Sequence, residues 1–130
     1  MEPQETARAW VEAVSEGAVE AHVPDLVFAE AANALTVYVR GRRLKYADCD
    51  EALGTMVSIP FEVVPARLLA RPALALAIRR RISAYDACYL ALAIGYDAVL
   101  VTADRRLAEA AEQAALLPWD HPPPLEPQHK

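Results

Sequence analysis

The run Ala98-Val-Leu-Val-Thr102 restricts the folds open to this chain more than any other segment. It is β-favouring without interruption and lacks the alternation that gives a strand one wet face. Runs of this kind are typical of parallel strands covered by helices on both sides. The flanks agree with that reading. A helical pattern opened by Ser83 stops at Gly95, and another runs from Asp104 to Ala115. A parallel strand reaches its neighbour only through a long crossover, usually a helix. The segment therefore predicts an α/β fold.

The other segments repeat this alternation. Ala9, Trp10, Ala13 and Val14 recur at helical spacing between Glu5 and Glu16, and Gly17 follows as a C-cap. Ala21-His-Val23 reads as a short strand that stops at Pro24. Asp25 reads as the N-cap of a helix from Leu26 to Arg40, ended by Gly41. A helix is expected from Tyr46 to Val57 and a strand from Phe61 to Val64. Leu68, Leu69, Leu76 and Ile78 belong to a helical stretch reaching Arg81, which Pro72 is expected to start or kink. A last edge strand is expected from Leu116 to Trp119. Together these predict one domain over residues 1–119, a mostly parallel sheet with helices on both faces. Pro118, Pro122, Pro123, Pro124 and Pro127 are half of the chain's ten prolines, so residues 120–130 are expected to form an extended, disordered tail.

With 130 residues the chain is long enough for one domain and too short for two. Its net charge of −5 gives no general attraction to nucleic acid. Any such contact has to come from local basic clusters or from a metal ion. Cys49 and Cys88 have neither CxxC spacing nor paired histidines, which argues against zinc and for two reduced thiols, with Cys88 a buried filler. The first residues are acidic, with no apolar run of the signal-peptide kind, and no stretch has the length of a membrane span. The expected location is cytoplasmic, away from the membrane.

Candidate chemistry rests on three acids. In an open parallel sheet, sites form at the carboxyl ends of the strands. Asp104 lies just past the 98–102 strand, and capping the next helix explains it equally well. Asp86 stands three residues after Ser83, which fits a capping box, but the first turn of a helix also points to the rim of a sheet. Glu30 is less easily explained. Its helical neighbours are Leu26, Val27, Asn33 and Ala34, with no basic partner among them. Acids gathered in this way suit a hard cation such as Mg²⁺. Such an ion can activate water and stabilise charge on a phosphodiester. Arg105 and Arg106 open a helix against its dipole, which suits either phosphate contact or plain solvation. The stretch from Arg40 to Lys45, with Arg42 and Arg43, is the best candidate for an RNA-facing patch. His22, His121 and His129 are scattered, and none is expected to act as a catalytic base.

Three segments resemble the motifs of bacterial PIN-domain ribonucleases, the toxins of the VapC kind. Pro24-Asp-Leu-Val-Phe-Ala-Glu30-Ala-Ala-Asn33-Ala-Leu35 resembles the second acidic motif, Ser83-Ala-Tyr-Asp86-Ala-Cys-Tyr-Leu-Ala-Leu-Ala93 the third, and Val99-Leu-Val-Thr102-Ala-Asp104-Arg-Arg-Leu107 the fourth. The resemblance covers residues 7–119 in order and spacing. It implies a three-layer α/β/α fold and cleavage of RNA with Mg²⁺ or Mn²⁺. It also implies a homodimer and a cognate antitoxin that inserts a segment near the site. By position, Glu30, Asp86 and Asp104 would be the catalytic, metal-binding acids. Asn33 and Thr102 would support them, although Thr102 is equally well a plain strand-end threonine. Arg105, Arg106, Arg42 and Arg43 would face the substrate.

The chain departs from the family at its start. Members begin with a short apolar strand that ends in an aspartate, and Glu2-Pro3 resembles the segment after it. That strand is central in the family's sheet, so the two halves of the sheet are expected to be left with unpaired edges. The expected cause is a start codon placed too late; the alternative is a shortened relative. Two further readings stand beside the nuclease. One is a binding module of the same fold that dimerises or captures an antitoxin without cutting. The other is an α/β phosphate-handling domain of another family, weakened by the lack of a Gly-rich loop.

Overall fold

The computed structural model describes residues 3–111 and 114–116. The elements in chain order are α1 (Pro3–Ser15), β1 (His22–Pro24), α2 (Leu26–Arg40), α3 (Tyr46–Ser58), β2 (Glu62–Val64), α4 (Ala66–Arg80), α5 (Ala84–Gly95), β3 (Leu100–Thr102), α6 (Arg105–Ala110) and β4 (Ala114–Leu116). β1 pairs with β2 and β3 with β4, both in parallel, with His22 opposite Glu62 and Leu100 opposite Ala114. The architecture is the expected α/β one. Among the described residues the strands form two separate pairs, not one continuous sheet. Nothing there joins β1 to β3, which is the break expected where the family places its central strand.

Several local expectations are corrected. The last helix stops at Ala110, not Ala115, and Ala114–Leu116 form β4 instead. Alanine favours helix locally by only a few tenths of a kcal/mol per residue over most alternatives, about what one ladder partner outweighs. Here Leu100–Thr102 supply the partner. The expected edge strand over 116–119 and the tail over 120–130 otherwise lie outside the described residues. The first strand stops at Pro24 as expected, with the proline itself as its last residue, opposite Val64 and fully buried. Pro72 does not start its helix. α4 begins at Ala66 and runs through it. The missing Pro72 N–H leaves the Leu68 carbonyl without its helical donor. Of the 98–102 run only Leu100–Thr102 is strand: Leu100 is buried, Val101 and Thr102 are half-buried, and Val99, ahead of the strand, is 48% exposed.

The core is built where α4 and α5 pack together. Leu69, Ala73 and Leu76 of α4 meet Ala87, Cys88, Leu90 and Leu92 of α5. Leu26, Val64 and Ile82 close over this cluster. Leu68 and Ile78, although part of the same apolar pattern, fall on the outer face of α4. The i, i+3, i+4 rows explain the split: 69, 73 and 76 share one face, and 74 and 78 share another.

β1 and β3 border one cavity of about 320 Å³. Ala21–Val23 and Val99–Val101 form two of its walls, with Trp10 and Val14 of α1 and Tyr89 and Leu92 of α5 completing it. Two buried ring nitrogens of its lining, Trp10 Nε1 and His22 Nδ1, have no hydrogen-bond partner among the described residues. His22 stacks on Tyr96 with ring centres 3.8 Å apart. That contact fits a packing role for the imidazole.

Candidate active site

The carboxyl end of β1 leads directly into α2, so Glu30 lies in the second turn of that helix. Asp25, between the two, does not cap α2. Its backbone is already helical, and its side chain makes no bond to α2. Its Oδ1 instead accepts a hydrogen bond from Ala66 N–H, 3.0 Å away, at the start of α4. The N-cap residue of α4 is Pro65, which has no side-chain acceptor, so Asp25 takes over that function from another strand end.

Ser83 caps α5 as expected, its Oγ accepting from Asp86 N–H at 3.0 Å. The reciprocal half of the capping box, from the Asp86 carboxylate back to Ser83, is not formed among the described residues. The Asp86 carboxylate is thus left over for other work. One turn on, Tyr89 is half-buried, and its hydroxyl donates to Glu30 Oε1 at 2.5 Å. Burial pushes the Tyr89 phenol well above its ordinary value, reinforced by the bond to Glu30 and by the charges of Glu30 and Asp86. Tyr89 therefore stays a neutral donor to Glu30, one helical turn from Asp86 and within its negative field. The same negative field reaches Cys88. Its thiol is pushed up first by burial, then by Glu30 and Asp25. Cys49 and Cys88 are both free and buried.

Asp104 stands at the carboxyl end of β3 and caps α6. Its Oδ1 accepts from Arg106 N–H at 2.9 Å and Leu107 N–H at 3.3 Å. Thr102 Oγ1 accepts from Asp104 N–H at 3.0 Å, so the hydroxyl fixes the backbone that carries the acid. Arg105 and Arg106 are exposed in the first turn of α6. Arg42 and Arg43 are exposed after α2, Arg42 with a left-handed backbone at φ 57. Asn33 lies one turn beyond Glu30, exposed.

Among the described residues, no three His, Cys, Asp or Glu side chains stand close enough together to hold a metal ion. A hydrated hard cation does not require three. Mg²⁺ commonly takes one or two carboxylates and fills its remaining positions with water and substrate oxygens. Glu30, exposed, and Asp86, half-buried, with no basic side chain bonded to either among the described residues, fit such an ion.

Sequence reasoning missed two residues here. Tyr89 carries a signal, since it lies three residues after Asp86 and so shares its helix face. Asp25 as a cap for α4 carries none, because its partner is 41 residues away.

The PIN-domain family model matches residues 2–113. The chain is 38% identical over 91 residues to VapC ribonuclease Mb0985 of Mycobacterium bovis, covering 70% of each protein. The same figures hold for ribonuclease VapC9 of Mycobacterium tuberculosis. The crystal structure of PAE2754 from Pyrobaculum aerophilum superposes with a TM-score of 0.70 at 28% identity, over 85% of this chain and 80% of that one. Motifs, parallel strand pairs and relatives agree, and the chain belongs to the PIN-domain family, in its VapC-like branch.

Proposed function

We propose that this protein is an endoribonuclease, the toxin of a toxin–antitoxin pair, that hydrolyses RNA phosphodiester bonds with Mg²⁺ or Mn²⁺ held directly by Glu30 and Asp86, with Asp104 reaching the ion through water. The observation that carries this reading is the bond from Tyr89 to Glu30, one helical turn from Asp86, in a chain 38% identical to VapC ribonucleases. A bound divalent ion would polarise the phosphate and lower the pKa of the attacking water. Glu30 and Asp86 supply hard oxygen ligands, and the Asp104 oxygen that does not cap α6 is left to bind the ion's water. Thr102 steadies Asp104 through its backbone. Asn33 supports from the turn after Glu30. Arg105 and Arg106, with Arg42 and Arg43 farther along, neutralise phosphates of the strand being cut.

A homodimer and docking of an antitoxin are part of this reading. Leu68, Leu74 and Ile78 of α4 are 63%, 63% and 74% exposed, an apolar surface that fits a protein partner better than water. No helix among the described residues is long and apolar enough to cross a membrane, and the cytoplasm, where the RNA is, is the proposed site of action.

The test is a gel assay of RNA cleavage with Mg²⁺ or Mn²⁺, repeated with chelator and with Asp86→Asn. Cleavage that both treatments abolish is the expected result. Cleavage that survives chelator overturns the metal mechanism. One observation favours a second reading, a PIN-like module that binds partners without cutting. Among the described residues the strands form two separate pairs across a cavity, which weakens the frame that aligns the acids. A folded chain inert on varied RNAs would support that module.

A further inference from the structure

We infer that Tyr89 is a positioning residue for Glu30, holding one carboxylate oxygen so that the other is presented to the cation. The inference rests on the proposed metal-binding role of Glu30. Glu30 is exposed and has three rotatable side-chain bonds, so an untethered carboxylate there would sample many positions. The hydroxyl of Tyr89 removes that freedom by donating to Oε1. Its own ring is fixed, because it is half-buried on α5 and lines the cavity beside Val23 and Val27. Two helices whose bonded residues lie 59 positions apart are thus joined at the site itself.

The choice of partner matters as much as the bond. An arginine or lysine in that place would cancel the charge of Glu30 and compete with a cation. A neutral phenol fixes the carboxylate and leaves its charge available. Partners of metal ligands that act in this way are worth about tenfold to a hundredfold in metal affinity.

The experiment is Mn²⁺ affinity by calorimetry on the full chain and on Tyr89→Phe, Glu30→Gln and the double variant. Melting temperatures are read on the same samples. Tyr89→Phe keeps the ring and its packing and removes only the donor. It is expected to weaken Mn²⁺ binding by about tenfold. Glu30→Gln is expected to weaken it at least as much, and the double variant to bind no worse than Glu30→Gln alone. That non-additivity is what a tether acting through Glu30 requires and what a packing role would not give. The inference is overturned if Tyr89→Phe binds Mn²⁺ as the parent does while Glu30→Gln does not. It is also overturned if the two losses add in full, or if Tyr89→Phe loses its fold. If Glu30→Gln binds as tightly as the parent, or the parent binds no Mn²⁺, Glu30 is no ligand and the metal reading falls together with the tether.

Discussion

Asp25 Oδ1 accepts the Ala66 N–H at 3.0 Å, tying the end of β1 to the first turn of α4. The bond satisfies a helix N-terminus that Pro65 cannot cap. It also couples the segment leading into α2 to the helix that carries half of the core. Asp25→Ala should therefore lower stability by about 1 kcal/mol, the usual cost of losing a cap. Urea unfolding measures it. A loss within the scatter of ordinary surface changes, about 0.5 kcal/mol, would remove the bond from the stability of the chain.

The core between α4 and α5 makes a larger claim. Leu90 is 1% exposed, among the most buried side chains, whereas Leu74 on the other side of α4 is 63% exposed. Leu90→Ala should cost about 2–5 kcal/mol through reduced burial and the cavity left behind. Leu74→Ala should stay within about 0.5 kcal/mol. Equal effects in the same unfolding experiment would mean that α4 packs by a different face.

Stability should also fall at alkaline pH. Cys88 and Tyr89 are both raised above their ordinary values of 9.0 and 10.0, each first by burial. Above pH 9 the unfolded chain releases the Cys88 proton while the folded chain still holds it, and above pH 10 the same applies to Tyr89. The contribution is complete below about pH 9 and is lost as the pH rises through the folded-state values. Melting temperature against pH from 7 to 11 should decline above 9, and Cys88→Ala with Tyr89→Phe should flatten the decline. An unchanged slope in that double variant would assign the decline to other groups.

RNA binding offers a test of the basic residues apart from cleavage. In an Asp86→Asn background, Arg105→Ala with Arg106→Ala should weaken binding of single-stranded RNA. It should also reduce the slope of log affinity against log salt by about 0.7 for each phosphate that the two arginines neutralise. Fluorescence anisotropy at several salt concentrations reads both quantities. An unaltered slope would return the two arginines to the solvated helix end that their sequence position equally allows.

The fold class was legible because it rests on local patterns. The unbroken run at 98–102, the bounds of the Leu26–Arg40 helix and the Ser83 cap follow from residue types within a few positions of one another. The order Glu30, Asp86, Asp104 in three motif-like segments pointed to the family that the relatives then showed. Less legible were the ends of elements whose state depends on a distant partner. Ala114–Leu116 has helical propensity, yet becomes a strand because Leu100–Thr102 lies beside it.

What the sequence alone determined is therefore the alternation of strands and helices and the places of Glu30, Asp86 and Asp104 along them. Tertiary structure decided how those acids are held. Only folding brings Tyr89 to Glu30, turns Asp25 from its own helix to the amide of Ala66, and divides the strands into two pairs around a cavity. The physical reason is range. Caps, turns and periodicity are fixed by neighbours along the chain, whereas a hydrogen bond across 41 or 59 residues exists only once the core of α4 and α5 has set the distance.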